Sequence, residues 1–189
     1  ISSPGSHLSI STTSGGNLKI IATADEHTCQ QVTTVIQDIM PQVGRTGAVT
    51  PVARLNPVFV GGVTVTNATL HNQDEINRKD IRIGDTVIIE RAGDVIPAVV
   101  RLEKASENGQ AFHMPTSCPE CGTEVEKSVN EVAHRCTNLS CPAQEKGRLT
   151  HYVARGAMDI DGLGVSLIEL LYENGMCRSI SDIYRLDRN

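Results

Sequence analysis

The sequence contains no tryptophan, two phenylalanines and three tyrosines, so its cores must be built from Val, Ile and Leu. That scarcity argues against rows of aromatic side chains on which the bases of single strands could stack. Net positive charge is lacking too. The formal charge is −5, and residues 42–105 balance 8 Lys or Arg against 7 acids, so no strongly basic surface announces nucleic acid. No run of about twenty apolar residues could span a membrane, and no stretch reads as a secretory signal. The expected setting is therefore a reducing cytoplasm, with no membrane partner. Walker loops, dinucleotide fingerprints and the His-x-Glu or His-Glu-x-x-His patterns of metallohydrolases are absent. His71, His113, His134 and His151 have no nearby Ser or Cys in a nucleophile arrangement.

Six cysteines are present, and four of them cluster as Cys118-Pro-Glu-Cys121, fourteen residues, then Cys136-Thr-Asn-Leu-Ser-Cys141-Pro142. A tight turn at Gly122 lets the first two thiolates converge on one ion, and a second turn at Asn138 brings the other pair. In a reducing compartment such pairs point to zinc before disulfides. Four thiolates complete a tetrahedron and leave no open position for water, so the ion is expected to be structural, with His134 as an alternative ligand. The window has only Val125, Val129, Val132 and Leu139 to bury, so metal must supply most of its folding energy. Cys29 and Cys177 stand alone and are expected to be inert.

With 189 residues there is room for one or two domains plus a small module. Residues 1–31, rich in Ser, Thr and Gly, read as a disordered or appended leader, with one short strand possible at 18–22. From Val32 to about residue 104, β-branched residues alternate with turn residues, and short strands are expected between Gly44, Gly47, Pro51 and Pro57. Val58–Val60 and Val63–Thr66 flank a hairpin turn or bulge at Gly61-Gly62. Residues 71–80 form a short helix capped by Asn72 or Thr69, and 86–91 and 98–102 are further strands. Several short strands around one helix describe a small OB-like β-barrel over 42–105, in a domain bounded at 32–105. A polar linker follows at 106–117, then the finger at 118–142. Residues 144–155 and a second run from Val165 are helical, and a third helix is expected over 179–186 from Ser179 or Ser181. The fold class is thus mixed and multi-module: OB-like barrel, tetracysteine zinc finger, and α-helical segment over 143–189.

Asp161-Gly162-Leu163-Gly164 between two helices has two readings. Its glycines could let successive amides point outward as a nest for a phosphate oxygen, the device of a helix-hairpin-helix module, or it is a plain turn. Asp159 and Asp161 suit a turn at a helix start better than a metal pair. Arg45-Thr46-Gly47 and Arg91-Ala92-Gly93-Asp94-Val95-Ile96-Pro97 each set an arginine beside a glycine turn, where its planar fork could meet phosphate or simply be solvated.

Taken together, five runs resemble the bacterial NAD-dependent DNA ligases, in that family's order and with the finger between them. They are Val43–Ala53, Asn67–Asn72, Asp80–Asp85, Arg91–Pro97 and Gly156–Gly164. The resemblance covers about residues 32–189 and implies an OB-fold domain, a tetracysteine finger holding one zinc, and the start of a helix-hairpin-helix domain. It implies an enzyme that passes AMP from NAD to its own lysine and then to the 5′-phosphate of a nick, and seals the nick with release of AMP. NAD and Mg would serve the full-length family enzyme only. By the same resemblance Arg45, Thr46, Arg91, Val95 and Ile96 face the DNA or the adenylated nick, while Gly162 and Gly164 grip the duplex backbone. Cys118, Cys121, Cys136 and Cys141 hold the metal. One departure matters: none of the five lysines is followed by x-Asp-Gly, so the lysine that takes AMP is missing.

The expectation is a middle piece of a ligase of replication and repair, a monomer in a bacterial cytoplasm and associated with the nucleoid in use. Its partner is nicked double-stranded DNA, and it cannot adenylate itself. The alternatives are a stand-alone zinc-containing DNA-binding or adaptor module without ligation, and an enzyme with an open zinc site.

Overall fold

The computed structural model describes residues 8–11, 19–22, 30–91, 96–127 and 132–186, the first two segments as backbone. Strands β1 (Leu8–Ser11) and β2 (Lys19–Ala22) pair antiparallel as a separate ribbon inside the stretch read as a leader.

The next strands are β3 (Gln30–Val43), β4 (Ala48–Val60) and β5 (Val63–Thr69), followed by helix α1 (Gln73–Lys79), β6 (Thr86–Arg91) and β7 (Ala98–Lys104). β3 bonds to both β4 and β6, β6 to β7, β7 to β5 and β5 to β4, so the five strands close on themselves. The closing contact between β5 and β7 is parallel, through Thr69 opposite Ala98. Closure leaves no long open edge, which suits an OB-fold barrel. In β4 the residues Val49, Pro51, Ala53 and Leu55 point inward alternately, the period of a strand with one face on a core. Ile36, Leu55, Leu70, Val87, Ile89 and Val99 form that core, with Ile76 of α1 packed into it.

β3 and β4 are longer than the short strands expected from Pro51 and Pro57. β3 pairs with two neighbours along its length and β4 with three, and each has a register irregularity, between Ile36 and Asp38 and between Arg54 and Val58. Pro57 lies within the second irregularity, where a missing N–H disturbs no regular ladder. Pro51 pairs with Pro41, so two residues without N–H face each other.

Asn72 caps α1, its Oδ1 accepting from the Glu75 N–H at 2.8 Å, and Asp80 ends it at φ 48°. Arg78 clasps Glu75 with two hydrogen bonds, which hold that carboxyl down at about 2. Residues 106–117, read as a polar linker, run as a strap along the barrel. Gln110 exchanges backbone bonds with Ile83, Phe112 packs against the core, and the Gln73 amide bonds both Phe112 O and Met114 N. Asp85, fully buried, ties the strap down by accepting from the N–H groups of Arg82 and Ser106.

Two short strands follow, β8 (Val125–Lys127) and β9 (His134–Cys136), and β9 pairs with the start of β4, so the finger's sheet continues the barrel's. Helices α2 (Pro142–Val153), α3 (Val165–Glu173) and α4 (Ile180–Ile183) are the last elements among the described residues. α2 starts and stops two residues earlier than the expected 144–155, because Pro142 suits a first helical position and Cys141 supplies the cap. α4 is a single turn set by a Ser179–Asp182 capping box and ends at Ile183, short of Leu186. Leu149, Val153, Ile168, Tyr172 and Cys177 pack these helices together. The Tyr172 hydroxyl donates to Glu145 at 2.6 Å, and burial together with that carboxylate pushes it up to about 12.

Candidate metal centre and nucleic-acid face

The four clustered cysteines meet at one point. Their sulfurs all lie within 4.8 Å of one another, with Cys118 Sγ 3.9 Å from Cys141 Sγ and Cys121 Sγ 3.5 Å from Cys136 Sγ. Four sulfurs around one zinc at its usual bond length stand about 3.8 Å apart, so the donor set fits a closed tetrahedral ion. Both knuckles are built locally. Gly122, at φ 72°, lets its N–H reach Cys118 O at 2.9 Å, and Cys118 N reaches Thr123 O at 2.8 Å. On the other side Cys141 N donates to Asn138 O, and Cys141 O accepts the first helical bond of α2 from Glu145 N.

The thiols differ in their surroundings. Burial pushes Cys141 up to about 12 and raises Cys136, while the Thr123 hydroxyl and amide beside Cys121 hold it down to about 6. Buried thiols become thiolates only beside a compensating cation, which is the electrostatic task of a metal here. Apolar packing offers little help: Leu139 is 76% exposed, Val132 is exposed and Val125 half-buried, while Val129 lies outside the described residues. His134, the alternative ligand, sits on β9 opposite Val49 and is not part of the cluster.

The turn between β3 and β4 carries Arg45 and Thr46, both exposed. It is closed by Gly44 N to Ala48 O and by Gly47 N to Gly44 O. Among the described residues no acceptor takes the Arg45 guanidinium. Beside this turn a groove of about 350 Å³ is lined by Gln42, Val43, Thr50, Val52 and Asn67, with Ile96 at its rim, 74% exposed. Arg91 differs from Arg45. Its Nη1 donates to Gly61 O at 2.8 Å, while Gln30 Oε1 accepts from Gly61 N at 2.7 Å, so the β4–β5 turn is held from both sides. Val95 lies outside the described residues, as does Cys29.

Gly162, at φ 75°, and Gly164, the N-cap of α3, are exposed, and a Cβ added at either would meet nothing within 4 Å. The turn's geometry demands glycine at Gly162; at Gly164 neither φ nor neighbours do. Asp159, at φ 47°, and Asp161 are exposed turn residues outside any metal cluster among the described residues.

Three contributors escaped sequence reasoning: Gly47 as a contact residue, Gln144 and Gly147. Gln144 is 3% exposed and its amide donates to Cys136 O and Asn138 O. Gly147 lies inside a helix, where glycine costs stability, and that was the available signal of a close approach.

Comparison with known proteins agrees with this geometry. The model of the NAD-dependent DNA ligase OB-fold domain matches residues 33–111, and that of the NAD-dependent DNA ligase C4 zinc finger domain matches 117–143, together more than half of the chain. A DNA ligase of Syntrophus aciditrophicus is 52% identical over 170 residues, which cover 89% of this chain and 25% of that protein. A DNA ligase of Geobacter metallireducens is 56% identical over 162 residues, 85% of this chain and 24% of that protein. The chain thus spans about a quarter of the length of these curated relatives.

Proposed function

We propose, starting from a chain that belongs to the NAD-dependent DNA ligases and carries their OB-fold domain and C4 zinc finger, that these residues engage the backbone of nicked duplex DNA on behalf of such an enzyme. The supporting observation is the Arg45–Thr46 turn, exposed beside a shallow groove, with a guanidinium that no described residue accepts. A planar, always charged fork held on a short turn suits a phosphate, because it donates in pairs without reading sequence. Ile96 at the groove's rim would meet the sugars or base edges beside that phosphate, and Thr46 would add a neutral hydroxyl. The finger would hold one zinc through Cys118, Cys121, Cys136 and Cys141; the ion supplies charge balance and rigidity and takes no part in bond making.

The helices from Pro142 onward would open a helix-hairpin-helix domain, with Gly162 and Gly164 allowing a phosphate close to the start of α3. Residues 156–189 carry 3 basic residues against 6 acids, so this grip would use backbone amides rather than side-chain charge. Nick sealing in replication and repair, with NAD and Mg, belongs in this reading to the whole enzyme. This chain has no Lys-x-Asp-Gly motif to receive AMP.

Fluorescence anisotropy with a nicked duplex tests the reading. Arg45→Ala should weaken binding by ~1 kcal/mol and lower the salt slope by about one, with the barrel's circular dichroism unchanged. Arg91→Ala should weaken binding similarly while also loosening the Gly61 turn. Wild-type affinity in Arg45→Ala at low salt would remove that turn from the DNA face.

A further inference from the structure

We propose that Gly47, Gln144 and Gly147 form a positioning latch through which the metal-bound finger sets the attitude of the Arg45–Thr46 turn. The latch itself is independent of DNA; its consequence for binding rests on the reading of that turn as DNA-facing.

Cys136 is the hub. As a residue of the thiol cluster it would be fixed by a bound ion, and its peptide groups are engaged on two sides. Its N–H donates to Gly47 O at 2.8 Å, and its carbonyl accepts from Gln144 Nε2 at 2.8 Å. A second bond from the same amide, to Asn138 O at 3.0 Å, holds the turn before Cys141. One buried side chain therefore fastens the first helical turn of α2 to both halves of the second knuckle. Buried amides without such partners are costly, so a glutamine at this depth is explained by what it bonds.

Both glycines are contact residues. A Cβ at Gly47 would lie 2.3 Å from Cys136 O, and one at Gly147 would lie 2.9 Å from Arg45 Cβ and 3.0 Å from Arg45 Cα. A Cβ at Gly47 could not stand that close to the Cys136 carbonyl, and one at Gly147 would crowd Arg45 more tightly than nearly any real Cβ contact, so the absence of a side chain at both positions lets the finger and α2 close on the turn. A hairpin turn on a barrel is ordinarily among its more mobile parts. Here the bonds inside the turn settle its shape, while Cys136 and the face of α2 settle where it points. By linkage, anything that loosens Cys136 loosens the seat of Arg45, and a ligand gripping the turn should tighten the binding of metal.

The test measures zinc content, amide exchange at Gly47 and Cys136, and nicked-duplex affinity on the zinc-loaded 189-residue chain and on Gln144→Leu. Gln144→Leu should keep one zinc per chain, exchange these amides about ten-fold faster, and bind DNA no better than Arg45→Ala. The double variant Arg45→Ala/Gln144→Leu should be no weaker than Arg45→Ala alone. Retained zinc with unchanged exchange overturns the latch. Faster exchange with wild-type affinity, while Arg45→Ala weakens binding, overturns its role in positioning. If Arg45→Ala itself binds normally, the DNA-facing reading fails instead, and the latch is judged by exchange alone. Gly147→Ala, which leaves every cysteine and Gln144 in place, is judged by the same criteria should Gln144→Leu lose zinc.

Discussion

Two arginines beside glycine turns look alike in sequence and differ once folded. Arg91 spends a guanidinium N–H on Gly61 O, so part of its role is to hold a hairpin, whereas Arg45 presents its fork outward from a turn whose backbone is seated on α2. Asp85 is the converse case, a charged residue type that the fold hides completely. Each of its oxygens takes one backbone N–H, from Arg82 at 2.8 Å and Ser106 at 2.7 Å, which joins the approach to β6 with the strap after β7. Removing the carboxylate strands two part-buried donors. Asp85→Ala should therefore destabilise the barrel by about 3 kcal/mol in urea denaturation followed by circular dichroism, far more than an exposed aspartate would cost. A change under about 1 kcal/mol would mean that water reaches both amides.

Among the elements, the finger is the one that apolar packing cannot explain. Its sheet is two strands of three residues, and of its described apolar side chains Val132 and Leu139 face solvent while Val125 is half-buried. The barrel, by contrast, closes its hydrogen-bond ring and core without a single finger residue. Metal removal should therefore act on one module at a time. Chelation, or Cys121→Ser, should open residues 117–141 and the turn at 44–47 to proteolysis and hydrogen exchange while the barrel strands β3 to β7 themselves stay protected. Simultaneous loss of protection in both would mean that the barrel depends on the finger, contrary to its separate core. The helices sit between these extremes, because they have a small core of their own and two polar ties, Tyr172 to Glu145 and Tyr152 to Tyr184.

At the scale of the molecule, barrel, finger and helices follow one another through shared structure rather than loose tethers. β9 extends the sheet from β4, the cap of α2 is the last thiol of the cluster, and Gly147 of α2 rests on Arg45. Such continuity suits a piece that holds its partner at fixed spacing, with chemistry supplied from elsewhere. Incubation of this chain with radiolabelled NAD and Mg should accordingly leave no covalent AMP on the protein after denaturing electrophoresis, since no lysine here stands in a Lys-x-Asp-Gly motif. A labelled band would identify a nucleophile outside that motif and remove the division of labour proposed here.

What the amino-acid sequence determined by itself was whatever depends on local spacing. The thiol set, the Asn72 cap, the turn at Gly61-Gly62 and the runs shared with the ligase family all lie within short windows, where residue type and neighbours decide conformation. Tertiary structure decided the rest. The prolines of β4 looked like strand breakers until Pro41 stood opposite Pro51 and a bulge received Pro57. The strap at 106–117 looked like a linker until Gln73 and Asp85 bound it, and Gly47, Gln144 and Gly147 took on a role only when folding brought α2 against a turn far away in the chain. Such contacts join residues distant in sequence, and their energies depend on partners that no local pattern names.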